Sequence, residues 1–542
     1  MQDDFPLTIH LLLEHGRRVY GRSEVVTWEG DHARRATYAE VADNAERLAA
    51  ALAKLGVGPG DRVGTLCWNN QEHLEAYYAV PCMGAVLHTL NIRLPGAQLA
   101  HIVNHAEDKI VLVDSTLLPV LAPIADQLTS VEAFVVIGGG DASALGDRPV
   151  HRYADLLAAE QPGFVWPELD ERAPASMCYT SGTTGDPKGV VYSHRSTVLH
   201  AMATNAASVT GATEADRILT FVPMFHVNAW GIPFAAFFSG ATLHMPGPHM
   251  TPEGICAFIR SERSTLASAV PTIWAGILAY GNQKEIDLSS LRMGTSGGAA
   301  MPRSLMEAFE SKYGVRIIQG WGMTETSPVG GMAHPPVGVE LGTPEELDWR
   351  MKSGRLIAGV QMRIVSDAGD ELPWDGEAVG EIEVRGPWIT GAYYRVSSAD
   401  VPEKFDDGWL RTGDIGTIDE RGFYQITDRS KDVIKSGGEW ISSVELENLL
   451  AAAPGVAEVA VIGIPDDKWT ERPLACVVRE SGSDVTPGDL AAFLTGKVAS
   501  WQIPENWTFV EEVPKTSVGK FDKKVLRAAH ASGDLQVQRS RD

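Results

Sequence analysis

The sequence predicts an α/β protein in two parts: a large amino-terminal domain of several subdomains, residues 1–430, with β-sheets and packed helices, and a small α+β domain, 431–542. Three observations predict it. The chain has 542 residues, well beyond the roughly 250–300 at which a single core stops growing. From about residue 10 to 430 apolar, β-rich runs alternate with helical stretches, the pattern of α/β architecture. At 427–442, "TDRSKDVIKSGGEWIS", the texture changes, and the remainder reads as a compact unit of about 110 residues.

Each element has a local reason. Thr37 with Glu40 three residues on is a capping box, and Val41, Ala45, Leu48, Leu52 and Leu55 give the helix one apolar face before Gly56 stops it. After "GPGDRVGTLCWNN" (58–70) a further helical stretch keeps the alternation going. "GGGDASALGDRP" (138–149) reads as a surface loop and "DAGDELPWDGE" (367–377) as a hairpin-type turn. In the small domain Ser442 and Glu445 cap a helix that Pro454 ends, "VAEVAVIGIP" and "LACVVRE" are strands, and Thr486 to Val498 is a helix. The last twelve residues, "ASGDLQVQRSRD", are polar and expected to fray.

Composition narrows the function. Apolar residues make up 44% of the chain, ordinary for a soluble protein with a large core. There is no uninterrupted apolar run of the roughly 18 residues a membrane helix needs, and "MQDDFPLTIH" lacks the basic-then-apolar order of a signal peptide, so a cytoplasmic protein is expected. Cys67, Cys82, Cys178, Cys256 and Cys476 show no metal-binding or disulfide spacing and read as buried free thiols. A net charge of −24 argues against nucleic acid. It does not exclude small anions, because distant carboxylates are screened over about 8 Å at physiological salt.

"YTSGTTGDPKGVVYSH", Tyr179 to His194, concentrates five Ser/Thr hydroxyls, three glycines and one lysine. Glycines let backbone N–H groups approach a ligand and hydroxyls add donors, which suits phosphate oxygens. It is not the Walker loop: Pro187 precedes Lys188 and disfavours a helical Asp186, and Gly189 stands where a serine or threonine is required.

"YTSGTTGDPKG" resembles the signature loop of the adenylate-forming superfamily, which comprises acyl-CoA synthetases, peptide-synthetase adenylation domains and luciferases. "QGWGMTETSP" (319–328), "GWLRTGDIG" (408–416), "DRSKDVIKSGGEWIS" (428–442) and "PKTSVGK" (514–520) follow in the family's order, so the resemblance spans nearly the whole chain. "VPMFHVNAW" (222–230), "GPWITGAYY" and "KSGGEWISSVELEN" look most like bacterial medium- and long-chain fatty-acyl-CoA synthetases. The resemblance implies an ATP-dependent acid–thiol ligase with ATP, Mg2+ and CoA as partners of a carboxylic acid. The acid is first adenylated with release of pyrophosphate, then passed to a thiol with release of AMP. An aryl, branched or sulfur-containing acid, or an amine acceptor, is the alternative. Relatives of this kind are often dimeric, so a homodimer is expected.

The same resemblance assigns roles. Lys520, in a small domain that is mobile in the family, would bridge the acid's carboxylate and the ATP phosphate, with Thr324 at the α-phosphate and Glu325, perhaps assisted by Thr180, on magnesium. Thr180, Ser181, Gly182, Thr183, Thr184 and Lys188 would hold phosphates, and Asp414 with Arg429 the ribose. Adenine would lie between Trp321 and the backbone at Gly298 and Ala299, bordered by Gln319, Gly320 and Gly322. Many relatives carry tyrosine where Trp321 stands, so stacking is expected to survive and a phenol hydrogen bond is not. The acyl pocket would comprise His226, Val227, Trp230, Gly297, Val329, Gly330 and Met332, with Trp230 as its gate and Gly330–Gly331 leaving room for the chain. His226 and Trp230, four residues apart, would share a face if that stretch were helical. Lys431 matches the hinge position and, with Lys435, would also meet phosphate; Gly437, Gly438 and Trp440 would flank the pantetheine arm of CoA.

Overall fold

The computed structural model describes residues 1–180, 187–436, 439–466, 468–516 and 520–540, with only the backbone of 439–440. Two largely parallel sheets carry the large domain. One orders Val150–Arg152, Ala133–Ile137, Asp108–Asp114, Arg62–Leu66, Val86–Thr89 and Pro174–Tyr179 in parallel, with Gly189–Ser193 antiparallel at its edge. Residues 180–188 are therefore the connection of a hairpin, not a strand-to-helix turn.

The second sheet places Thr242–Met245, Arg217–Thr220, Leu266–Ala269, Met293–Ser296 and Ile317–Gly322 side by side in parallel, and Val329–Met332 antiparallel at the edge. Alternation along these strands serves two cores. Ile218, Leu266 and Ile318 join the core containing Phe234 and Ala236 of helix Ile232–Ser239. Leu219, Ala267 and Ile317 join Trp274, Ile277, Met306 and Phe309 of helices Pro271–Gln283 and Arg303–Tyr313. Covering both faces is what a parallel sheet requires, and it leaves the carboxyl ends of the strands as the open edge where ligands bind in such folds.

An antiparallel sheet follows, from Gln361–Val365, Gly380–Arg385, Trp409–Ile418 and Phe423–Arg429. The turn expected at 367–377 joins its first two strands. From Ile434 onward the chain builds a separate sheet in which Val456–Asp466 pairs with Thr470–Arg479. Both expected caps are present: Thr37 and Glu40 form a capping box on Tyr38–Lys54, and the Ser442 side chain accepts from Glu445 N at the head of Ser443–Leu450.

Two expectations fail here. The helix from Thr486 ends at Leu494, because Gly496 (φ +77°) turns the chain left-handed. Gln538–Arg539, expected to fray, pair antiparallel with Asn506–Trp507; a polar strand needs only backbone partners. All five cysteines are buried and free, as expected. Among the described residues no helix is long and apolar enough to cross a membrane.

Candidate active site

The site lies at the carboxyl ends of the strands Met293–Ser296 and Ile317–Gly322. Beyond Ser296 the chain enters Gly297 and Gly298, the latter left-handed at φ +83°. A Cβ added to Gly298 would lie 3.2 Å from Lys520 Cε. The lysine of the small domain thus rests on the glycine loop of the large one. Its turn is tied by Thr516, whose N–H donates to the Lys520 carbonyl at 2.7 Å and whose Oγ1 accepts from Lys520 N at 3.2 Å. Burial, then the Arg429 charge, push the Lys520 ammonium down to about 8, while Asp414 and Glu325 oppose that shift. Burial, with Lys520 and Arg93 adding to it, pushes His226 down to about 3, so a neutral imidazole faces the lysine.

Asp414 and Arg429 are direct cross-strand partners. The Arg429 Nε lies 2.7 Å from Asp414 Oδ1, and Asp414 is the main reason the guanidinium is held even more firmly protonated than usual. The other oxygen is also held: Trp321 Nε1 donates to Asp414 Oδ2 at 2.7 Å. Tyr424 packs edge-on against the indole with ring centroids 5.7 Å apart.

Glu325 lies in the short turn Thr324–Thr326 and is buried. Tyr393 Oη donates to its Oε1 at 2.7 Å, Thr390 N donates to its carbonyl at 2.8 Å, and Tyr192 Oη donates to the Thr324 carbonyl at 2.8 Å. The Lys188 ammonium stands 5.0 Å from the centre of the Tyr393 ring, a cation–π distance. One tyrosine therefore joins the lysine of the glycine-threonine loop to the carboxylate of "MTETSP". Sequence reasoning gave Tyr393 no role; "GAYYR" offered an aromatic pair but nothing that marks its partner. Thr180 and Lys188 close the loop's base, Thr180 N donating to the Lys188 carbonyl at 2.9 Å and Lys188 N to Thr180 Oγ1 at 3.2 Å. Ser181, Gly182, Thr183 and Thr184 lie outside the described residues.

Several acyl-pocket and nucleotide expectations need correction. His226 and Trp230 do not share a right-handed helical face, because Val227, Asn228, Ala229 and Trp230 all have φ between +48° and +56°. This left-handed turn ends at Gly231, where an added Cβ would meet the His200 ring at 2.5 Å. Trp230 does reach the site: a Cβ on Gly297 would lie 3.0 Å from its ring. Val227 instead packs with Val190, Tyr192 and Tyr393 in a buried cluster. Gly330 leaves no acyl space, since Trp321 fills it, with a Cβ there 2.5 Å from the indole; Gly331 faces Tyr424 and Arg355. Met332 packs onto Gly320, and Gly322 lies against Pro328. Val329 N donates to His200 Nε2 at 3.2 Å and its carbonyl accepts from Trp388 Nε1 at 3.0 Å. The Gln319 side chain is committed to protein, accepting from Met301 N at 2.6 Å and donating to the Met351 and Lys352 carbonyls, so it offers nothing to a base.

Beside the strands, a cavity of about 320 Å3 is lined by Thr204, Asn205, Ile218, Leu266, Ser268 and Thr295 among others. Sequence reasoning did not assign it.

The small domain is docked by buried charge. Ser443 N and Oγ both donate to Asp428 Oδ2 at 2.6 Å, and Lys523 Nζ reaches Ser443 Oγ at 2.6 Å and Glu447 Oε1 at 2.7 Å. Asp428 precedes Lys431 and the other three residues follow it, so the network spans the expected hinge. The Lys431 carbonyl accepts from Arg527 Nη2 at 3.3 Å, and Lys435 N donates to Glu471 Oε2 at 2.8 Å. Gly437 and Gly438 lie outside the described residues; the Trp440 backbone pairs with Lys435.

Comparison with known proteins agrees with this arrangement. The family model "AMP-binding enzyme" matches residues 13–394, and "AMP-binding enzyme C-terminal domain" matches 445–520. A 3-methylmercaptopropionyl-CoA ligase of Ruegeria lacuscaerulensis is 45% identical over 96% of this chain and 97% of its own. A long-chain-fatty-acid–CoA ligase of Thermus thermophilus is 46% identical over 97% of this chain and 96% of its own. Among solved structures, an anthranilate CoA ligase in complex with anthranoyl-AMP superposes with a TM-score of 0.88 at 28% identity, covering 98% of this chain and all of that one. With two family models covering most of its length and relatives of this similarity, the chain belongs to the AMP-binding enzymes.

Proposed function

We propose that this chain, an ATP-dependent acyl-CoA ligase, joins an aliphatic carboxylic acid to CoA through an acyl-adenylate made where Lys520 meets the glycine loop. One observation carries the reading: Lys520, Arg429, Asp414 and Glu325, drawn from both domains, influence one another's charge within a single buried site. Attack of a carboxylate on the α-phosphorus brings anions together, and cations positioned beforehand lower that barrier. Lys520 would neutralise the charge shared by the acid and the α-phosphate, with Thr324 beside it. Asp414 would accept the ribose hydroxyls, and Lys188 would face the outer phosphates.

Glu325 fits magnesium by its chemistry: one hard carboxylate, oriented by Tyr393, suffices for an ion that keeps waters and takes phosphate oxygens. Bound there, the ion would neutralise phosphate charge. Thr180, whose hydroxyl already accepts from Lys188 N, is the weaker ligand of the two proposed. Thioester formation needs a different surface around the adenylate. We place the hinge at Lys431, the domain boundary at 430/431 and the CoA path along 437–440.

For the acid, a medium- or long-chain fatty acid is the first reading. A short sulfur-containing acid is the second, favoured by hydroxyl and amide groups of Thr204, Asn205, Ser268 and Thr295 in the cavity wall. The 3-methylmercaptopropionyl-CoA ligase relative supports it too. Pyrophosphate release across acids of graded length and heteroatom content, with and without CoA, separates these.

The decisive test of the mechanism is Lys520→Ala. It should abolish acid-dependent ATP–pyrophosphate exchange and leave thioester formation from supplied acyl-adenylate near wild type. Unchanged exchange would refute the role given to Lys520.

A further inference from the structure

We infer that Trp321 is a positioning residue for ribose recognition: its indole N–H holds one oxygen of Asp414 so that the carboxylate presents two free lone pairs to a vicinal diol. The inference rests on the reading of Asp414 as the ribose acceptor and goes beyond a stacking role for the ring.

The geometry is specific. An ionised carboxylate has about four lone-pair sites. In this structure one site on Oδ2 is taken by Trp321 Nε1 and one on Oδ1 by Arg429 Nε, each at 2.7 Å. One site on each oxygen remains, the pair a ribose needs to place two hydroxyls. Arginine left alone with a carboxylate favours the bidentate fork, which occupies both oxygens. The indole opposes that arrangement because it anchors the far oxygen from the other side. Arg429 cannot simply recede, because it stands directly across the strand pair from Asp414.

The indole is itself held in place. Its strand residue is paired with Gly331. Its ring lies over Gly330, where a Cβ would approach within 2.5 Å, and meets Tyr424 edge-on. Tyr424 is fully buried and its hydroxyl has no partner among the described residues, so the phenol serves this contact as a ring. Asp414 is 2% exposed, and an exposed carboxylate would not need such fixing. Adjacent glycines in "VGGM" thus serve the nucleotide end of the site, not the acyl end.

The test compares kcat/KM for ATP and for 2′-deoxy-ATP in acid-dependent pyrophosphate exchange. Wild type should prefer ATP by roughly ten- to a hundredfold, the range for a hydrogen bond to a charged group. Asp414→Asn should remove most of that preference. Trp321→Phe keeps an aromatic face and loses the N–H; it should cut the ATP preference about tenfold while 2′-deoxy-ATP turnover falls less. Gly330→Ala, which displaces the indole without deleting its N–H, should do the same, and it guards against a phenylalanine variant that merely folds badly. Equal losses on both nucleotides in Trp321→Phe and Gly330→Ala would overturn the inference and leave Trp321 as a stacking surface. A wild type indifferent to the 2′-hydroxyl would instead overturn the reading of Asp414, and the inference with it.

Discussion

Lys520 should impose an alkaline limit on adenylation well below the ordinary range of a lysine. Burial and the neighbouring Arg429 lower it from 10.5 to about 8, a differential cost to the charged form of about 3 kcal/mol. The sign is set by its role: the ammonium is the active form, present below about 8 and lost as pH rises through it. At pH 7 about nine-tenths of the free enzyme would carry the charge, and at pH 9 about one-tenth. Because kcat/KM reports ionisations of the free enzyme, its profile for pyrophosphate exchange should be flat to near neutrality and then fall about tenfold per pH unit above 8. Bound triphosphate adds negative charge and should carry the limb in kcat to higher pH. Two variants assign it. Lys520→Arg, charged throughout, should remove the limb from whatever activity survives. Arg429→Met withdraws a cation that depresses Lys520 and should move the limb to higher pH, even though looser ribose binding lowers the whole profile; the diagnostic is where the curve bends. Thioester formation from supplied adenylate should lack the limb. A wild-type profile still flat at pH 10, or a limb unchanged in Lys520→Arg, would refute the reasoning.

Two further outcomes can be checked directly. Tyr393→Phe retains the ring beneath Lys188 and removes the hydroxyl that orients Glu325; at about 1.5–3 kcal/mol for a bond to a charged group, kcat/KM for ATP should drop roughly ten- to a hundredfold, with half-saturation by magnesium moving to higher concentration. Lys523→Met leaves the Glu447 and Asp428 carboxylates without their cation; breaking a buried pair in this way costs about 3–5 kcal/mol, measurable as a lowered unfolding transition, and it should slow pyrophosphate exchange more than thioester formation because the docked small domain serves the first reaction.

What could be read from the sequence were features whose cause is local. A threonine three residues before a glutamate caps a helix wherever the chain goes, and the Thr37 and Ser442 caps needed no knowledge of the fold. The motif residues Lys520, Asp414 and Glu325 were legible as candidates because their neighbours mark them, and the fold brings them into one site. Contacts between distant segments were not legible. Trp321 and Asp414 are 93 positions apart, and nothing near either predicts that an indole would be tied to a carboxylate. Gly330 shows why the reasoning failed there: a missing side chain says that space is needed and is silent on whose atoms fill it. Acyl chain and indole were equally compatible with "VGGM", and only the fold chooses. Handedness at Val227–Trp230 failed for a related reason. A left-handed turn costs roughly 1–2 kcal/mol per non-glycine residue, so no local preference would suggest four in succession. Such a turn persists only where surrounding structure compels it. Here Val227 is locked into the cluster with Tyr393 while Trp230 is delivered to Gly297. The strained turn therefore connects the wall behind Glu325 to the loop beneath Lys520, which ties the acyl entrance to the same residues that would handle the nucleotide.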